Sequence, residues 1–456
     1  MQTLGKIVTI NGASAVNNGY IVGASFISAL GGYLFGFDFA VISGALPFLR
    51  NAFGLTAWWE GFLTGSLALG CIIGCLCAGV LADRFGRRPG LMTAAIIFIF
   101  SALGMAFSPS LALFITCRFC AGIGVGMASL LSPMYIAEIS PAATRGRNVA
   151  INQLTIVIGI LVTNLVNYLL AGQGDDAWRW MIGAGVVPSF LFLLGVLWLP
   201  ESPRWLISAG KMQRAEKILQ KIYGGAHAGQ TKHEIGQSLR ATKNDTPVKV
   251  FSKAVRPAVV VGIVLAVFQQ FCGINIVFNY TSTIFESVGA NLDRQLFETV
   301  SIGFVNLVFT LLAMWQVDKL GRRPLMLVGS LGLTIIYVAL AFVLQNQSSP
   351  ALVSVFVLTA IALYASSLAP VTWVLISEIF PNRIRGKASS LAIVSLWIAY
   401  FILVFTFPVL AEKIGTYGPF YLYAAICLLG FLFIKSRVKE TKGQTLEQLE
   451  SNLIHH

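Results

Sequence analysis

Charge is what this sequence lacks most. Asp, Glu, Lys and Arg make up 11% of its 456 residues, where an ordinary soluble domain has about a quarter. With 56% hydrophobic residues and a mean hydropathy of +0.77, that deficit excludes a water-soluble globular fold. Histidine is scarcer still, at four residues, and none is spaced with cysteine as a metal site requires. The seven cysteines (Cys71, Cys75, Cys77, Cys117, Cys120, Cys272, Cys427) all fall inside apolar runs and read as small packing residues. Nothing in the pattern asks for a metal or a cofactor. Residues 1–19 are mixed and polar and the first apolar run is too long for a leader, so no cleavable signal peptide is expected. No nucleophile–base arrangement suggests an enzyme. "KHEIGQ" (232–237) begins like a zinc-binding HExxH but has Gln237 in place of the second histidine, in a stretch read as loop.

What the chain has instead is apolar runs of membrane length, about 20 residues each. Twelve are read, near 20–47, 59–81, 91–108, 111–133, 149–171, 181–199, 256–282, 297–317, 324–344, 350–378, 387–411 and 416–435. The net charge of +13 would raise nucleic acid as a partner, but the distribution decides otherwise: 27 of 32 Lys and Arg lie on alternate loops and the termini. The opposite loops hold only Arg50, Arg179, Arg294 and Lys413, and Arg118 lies within a run. The excess of cations on one side marks it as cytoplasmic, with both termini and the 200–255 loop there. The partner of this surface is a lipid bilayer, and no nucleic acid is expected.

The sequence is also written twice. "GVLADRFGRRP" (79–89) matches "MWQVDKLGRRP" (314–324), and "AEISPAATRGR" (137–147) matches "SEIFPNRIRGK" (377–387), at offsets of 235 and 240 residues. Two similar offsets in the same order indicate a duplicated six-helix unit, its halves in parallel topology. The expected organisation is an all-α membrane protein of twelve transmembrane helices: an N-terminal half (1–199), a linker with short amphipathic helices (200–255), a C-terminal half (256–435) and a tail (436–456). These repeated loops resemble those of the major facilitator superfamily. "PESPRWL" (200–206), "FQQFCGIN" (268–275) and "ETKGQTLEQLE" (440–450) resemble the sugar porter family within it.

A monosaccharide offers hydroxyls that both donate and accept, and side-chain amides match that character. The seventh run is rich in them, with Gln269, Gln270, Asn275 and Asn279 followed by Tyr280, and Gly273 in their midst permits a broken helix. The resemblance implies that Gln269, Gln270, Asn275, Gln153 and Asn306 are sugar ligands, with Asn279 and Tyr280 beside them. Trp373 and Trp397 can cover the sugar's C–H face. Three positions depart from the family. Leu396 stands where sugar porters carry Asn or Gln before the tryptophan, Ile160 where a bacterial xylose-transporting member has glutamine, and Asn279 where tyrosine is common. These departures leave hexose, pentose and polyol all open as the sugar class.

Asp38, in "GGYLFGFDFAVISG" (31–44), sits in the middle of the first run, where a charge costs about 3 kcal/mol or more. Its candidate partner is Arg118, which the resemblance brings close. Burial favours the neutral acid and a neighbouring guanidinium favours the carboxylate, so movement or hydration of Arg118 changes the proton affinity of Asp38. Proton symport of a sugar is the expected function, with passive uniport and a transporter-like sugar sensor as alternatives. A sensor would be expected to carry a long cytoplasmic extension, whereas the last run ends near 435 of 456.

The repeated loops supply a candidate cytoplasmic gate. Asp83, Arg87, Arg88, Glu138 and Arg145 of the first half, and Asp318, Arg322, Arg323, Glu378 and Arg385 of the second, would form interdomain networks. The resemblance extends these through Glu201, Arg204 and Glu440. "GCIIG" (70–74) and "GIGVG" (122–126) place small residues four apart and read as close helix packing. A monomer in a bacterial cytoplasmic (inner) membrane is expected.

Overall fold

The structure is a computed structural model that describes residues 16–141, 144–244, 252, 255–380, 384–438 and 440. Twelve helices are long and apolar enough to cross a membrane: Asn18–Phe53, Ala57–Phe85, Arg87–Ala106, Leu111–Ile139, Arg145–Gln173, Ala177–Trp198, Arg256–Asn279, Leu292–Gln316, Arg322–Gln345, Pro350–Ile376, Lys387–Ile414 and Gly418–Arg437. They follow the apolar runs in number and order. Several overrun them by a turn because polar residues close their first turns. Asn17 Oδ1 accepts from the Tyr20 N–H at 3.1 Å, and Asn291 Oδ1 from the Arg294 N–H at 3.0 Å. Such capped turns stand at the membrane surface, where apolarity no longer reports helix.

The seventh helix breaks at Gly273, whose φ of +85° suits glycine and whose missing Cβ makes room for the Tyr423 ring. The second and fourth helices approach through the small residues singled out above. A Cβ on Gly122 would lie 2.0 Å from the Leu67 carbonyl oxygen, and one on Gly70 2.0 Å from that of Phe119. Backbone on both sides leaves nothing to yield. Gly122→Leu should therefore cost at least about 3 kcal/mol, and the yield of monodisperse protein should collapse, while Gly146→Ala, which meets nothing within 4 Å, should leave it unchanged.

Three shorter helices, Pro203–Ser208, Met212–Tyr223 and Gly225–Asn244, form the linker. The first two pack Trp205, Leu206, Ala215 and Leu219 into a small core of their own. The HExxH-like stretch is thus helical rather than loop, with His233 Nε2 and Gln237 Nε2 3.0 Å apart on one face.

The halves meet at one end. At mid-depth Phe35 packs on Trp397 (ring centres 5.9 Å apart) and Phe39 on Tyr400 (5.5 Å). Towards the end away from the basic loops, Ser282 donates to the Ser43 carbonyl (2.8 Å) and Asn164 to that of Thr299 (2.7 Å). Gly61 lies against the Phe405 carbonyl. Among the described residues no hydrogen bond or ring contact joins the two six-helix halves at the basic end.

Candidate functional site

Past the break at Gly273 the seventh helix lies against the first, where the Phe278 and Phe39 rings stand 6.2 Å apart. Gln269, Gln270, Asn275 and Asn306 are all buried, each less than a tenth exposed. Asn275 Nδ2 donates to Gln270 Oε1. Gln269, a neighbour in sequence but a hundred degrees round the helix, donates to the Tyr364 hydroxyl at 3.3 Å, and its Oε1 has no partner. Unpaired amide oxygen in a buried cleft is what a hydroxyl-bearing ligand would satisfy.

The other expected ligands divide. Gln153 is half-buried, and among the described residues neither it nor Asn306 hydrogen-bonds the seventh-helix cluster. Trp397 is buried against Phe35 and Tyr400, whereas Trp373 is 41% exposed. Two more of the expected residues bond to the helices around them. Asn279 has both ends of its amide occupied: Nδ2 donates to the Asn275 carbonyl (2.7 Å) and Oδ1 accepts from the Tyr400 hydroxyl (3.2 Å). Tyr280 spends its hydroxyl on the Val404 carbonyl (2.8 Å) and packs on Phe407 (ring centres 4.9 Å apart). Both tie the seventh helix to the eleventh. Leu396 and Ile160 are buried apolar wall.

Three carboxylates are buried among the described residues: Asp38, Glu60 and Glu298. Two are locked. Glu60 holds Arg50 in a two-pronged pair (2.5 and 2.7 Å), and Glu298 takes Arg294 and the Ser354 hydroxyl, each at 2.6 Å. Asp38 has no such partner. It and Arg118 are buried on helices that pack together, and each feels the other's charge, yet no nitrogen–oxygen approach within 4.0 Å joins them. Arg118 keeps Nε and Nη2 buried without a hydrogen-bond partner. The two are neighbours without a closed ion pair. A permanent structural ion pair would be closed.

At the basic end the repeat is reproduced in three dimensions. The Glu201 carboxylate accepts from the backbone N–H of Arg87 (2.9 Å) and Arg88, at the start of the third helix. Glu440 does the same for Arg322 and Arg323, each 3.0 Å, at the start of the ninth. Gly86 and Gly321, at φ of +107° and +92°, leave space for these carboxylates. Burial pushes the Glu201 carboxyl above the ordinary glutamate range, against the pull of the N–H donors. Arg87 pairs with Glu138 (2.9 Å) and more loosely with exposed Asp83 (3.7 Å). Arg88 and Arg323 each cap carbonyls at the end of another helix in their own half, at Leu197 and Lys435. Among the described residues these bonds each stay on one side of the repeat. Arg145 and Arg204 are exposed at this end. The side chains of Asp318, Glu378 and Arg385 lie outside the described residues.

Sequence reading missed the opposite end. Arg50 adds to its Glu60 pair a bond to Glu286 (2.6 Å) and one to the Thr283 hydroxyl (2.6 Å), both in the other half. The signal available was its scarcity as one of four cations on that side. Tyr400 was also missed, one helical turn beyond Trp397 in "SLWIAYF".

A model of the sugar (and other) transporter family matches residues 24–453. The chain is 39% identical over 475 aligned positions to the D-xylose-proton symporter of Escherichia coli (strain K12), covering 95% of this chain and 96% of that one. It is 37% identical over 440 to the arabinose-proton symporter of Bacillus subtilis (strain 168), covering 95% of each. The inward open conformation of the xylose transporter XylE from E. coli superposes with a TM-score of 0.85 at 37% identity, covering 95% of this chain and all of the other. The same protein bound to 6-bromo-6-deoxy-D-glucose gives 0.81.

Proposed function

This chain belongs to the sugar transporter family, and from that membership we propose that it imports a monosaccharide by proton symport, the two halves rocking about a mid-depth site. The observation that carries the coupling is Asp38, the buried carboxylate left without a counter-ion while Glu60 and Glu298 are both locked. An acid in that position exchanges a proton when a neighbouring cation comes or goes. Gln269, Gln270 and Asn275 hold the sugar, helped by Gln153, Asn306, Trp373 and Trp397, and Asn279 and Tyr280 enter through the helix they tie down.

The match to an inward open relative and the Arg50 bonds that join the halves at the end away from the basic loops support an inward-facing conformation. When the basic end closes, Arg87, Arg88, Glu138 and Arg145 meet Arg322, Arg323, Glu378 and Arg385 across the halves, with Asp83, Asp318, Glu201, Arg204 and Glu440 holding the loops. The two halves span 1–199 and 256–435, joined by 200–255, with the tail from 436. The protein works as a monomer in the bacterial cytoplasmic membrane, both termini inside, and carries no chemistry of its own.

Two measurements test this reading. Competition among radiolabelled hexoses, pentoses and polyols, with and without a pH gradient, should show one class favoured and accumulated only with the gradient. Uptake that only equilibrates, to the same level with and without the gradient, would leave a uniporter. Gln270→Ala strands the Asn275 amide and one sugar hydroxyl, which costs about 1–3 kcal/mol, or roughly 5- to 150-fold in affinity. Equilibrium binding of the favoured sugar to the purified variant measures that loss.

A further inference from the structure

We propose that the groove between the seventh and twelfth helices at the basic end seats an anionic phospholipid, its phosphate held between Arg256 and Arg437 and an acyl chain laid along the apolar wall beneath them. The groove has a volume of about 410 Å³ and is lined by Arg256, Pro257, Val260 and Val261 of the seventh helix and by Phe433 and Arg437 of the twelfth. Helical spacing makes these residues converge. Arg256, Pro257, Val260 and Val261 stand at i, i+1, i+4 and i+5, and Phe433 and Arg437 at i and i+4, so each set shares one face of its helix. Arg256 opens the seventh helix and Arg437 closes the twelfth. Both charges therefore stand at the basic surface, with the apolar residues about 6 Å deeper, one turn along each axis.

Two features separate this pair from the general excess of cations at this end. Both arginines are exposed, and among the described residues neither guanidinium enters a hydrogen bond or an ion pair. Arg87, Arg88 and Arg323, by contrast, spend theirs on Glu138 and on the Leu197 and Lys435 carbonyls. The second feature is the wall. Val260 is 43% exposed and Phe433 half-buried, an apolar slot beneath two forked donors. Guanidinium forks match phosphate oxygens two at a time, and the first turn of the seventh helix adds its positive dipole end. A free anion would use the arginines and leave the slot unused. A phospholipid occupies both, which is why basic pockets between membrane helices on the cytoplasmic side hold anionic headgroups. The occupant braces the base of the helix that carries Gln269, Gln270 and Asn275. None of this depends on whether the sugar travels with a proton.

The test takes the purified protein, stripped of lipid in neutral detergent, and titrates it with phosphatidylglycerol or phosphatidylethanolamine while native mass spectrometry counts bound lipid. Phosphatidylglycerol should fill a first, saturable site that phosphatidylethanolamine fills at least about fivefold more weakly, and excess inorganic phosphate should not displace it. Affinity should fall about fivefold for each of Arg256→Gln and Arg437→Gln. Val260→Trp keeps both charges, fills the slot and should weaken the lipid as well. Lys217→Gln with Lys221→Gln removes two exposed cations from the linker helix Met212–Tyr223 and should change nothing. All these positions are exposed, so melting in lipid-free detergent should match wild type throughout. Equal affinity for the two lipids, undiminished binding in the arginine variants, or an equal loss in the linker variant would reduce the groove to general surface charge and overturn the inference. Displacement by inorganic phosphate would make it a free-anion site and overturn it too.

Discussion

Asp38→Asn should abolish uphill sugar accumulation and leave exchange of sugar for sugar running. The driving force is large enough to make the loss plain. A proton crossing about 100 mV releases about 2.3 kcal/mol, and every 1.4 kcal/mol is tenfold. One proton per sugar therefore supports roughly 50-fold accumulation for each 100 mV, and the variant should hold a ratio near one. Asparagine is close in size to aspartate and carries no charge, so the buried site that Asp38 occupies beside Phe37 and Phe39 accepts it without a stranded ion. Exchange needs rocking and binding but no net proton movement, which is why it survives. The measurement is paired uptake and counterflow in proteoliposomes. Retained accumulation in Asp38→Asn would remove Asp38 from the coupling.

Arg50→Gln should shift the resting equilibrium towards an outward-open state. Arg50 is bonded to both halves at once: Glu60 in its own, and Glu286 and Thr283 in the other. Only the latter two resist opening. Glu286 is 55% exposed, so its pair contributes at most about 1 kcal/mol, and the charged bond to Thr283 contributes about 1.5. Together they supply at most about 2.5 kcal/mol, which corresponds to up to roughly a 70-fold change in the ratio of the two states. Hydrogen exchange should read it as faster opening of segments 57–65 and 401–407, which face each other beneath the lock. Glu286→Gln should do the same to a smaller extent and Glu298→Gln should not, because Glu298 pairs within its own half. Unchanged exchange in Arg50→Gln would mean that apolar packing such as Trp58 on Phe405 closes this end unaided.

Much of this architecture is legible in the residues, and the reason is the solvent. In hydrocarbon the backbone must satisfy itself, so an apolar run of sufficient length can only be a helix. The twelve runs read from the sequence became twelve helices for that reason. The duplicated loops carried the topology, and Glu201 and Glu440 on paired N–H groups reproduce the same repeat in atomic detail. Helix ends were less legible, since capped polar turns look like loop.

The amides of the seventh helix could be found by composition. Their directions could not. Adjacent Gln269 and Gln270 turn to different partners, and Asn279 and Tyr280 are committed to the eleventh helix by contacts that exist only once Gly273 has broken the seventh. Asp38 and Arg118 stood out as charges deep within spans, but their separation depends on side-chain directions across two packed helices, which no local pattern encodes. Arg50 looked like one more exterior cation because Glu286 and Thr283 are more than 200 residues away.

The central claim is that the Asp38 carboxyl changes protonation during the cycle. Infrared difference spectra of the purified protein, taken across a pH titration with and without the favoured sugar, observe that carboxyl directly. A protonated-acid band should appear on acidification, move to higher pH when sugar is added, and be missing from Asp38→Asn. A spectrum in which this group stays ionised at every pH, with or without sugar, would contradict the claim and leave a carrier that moves sugar only downhill.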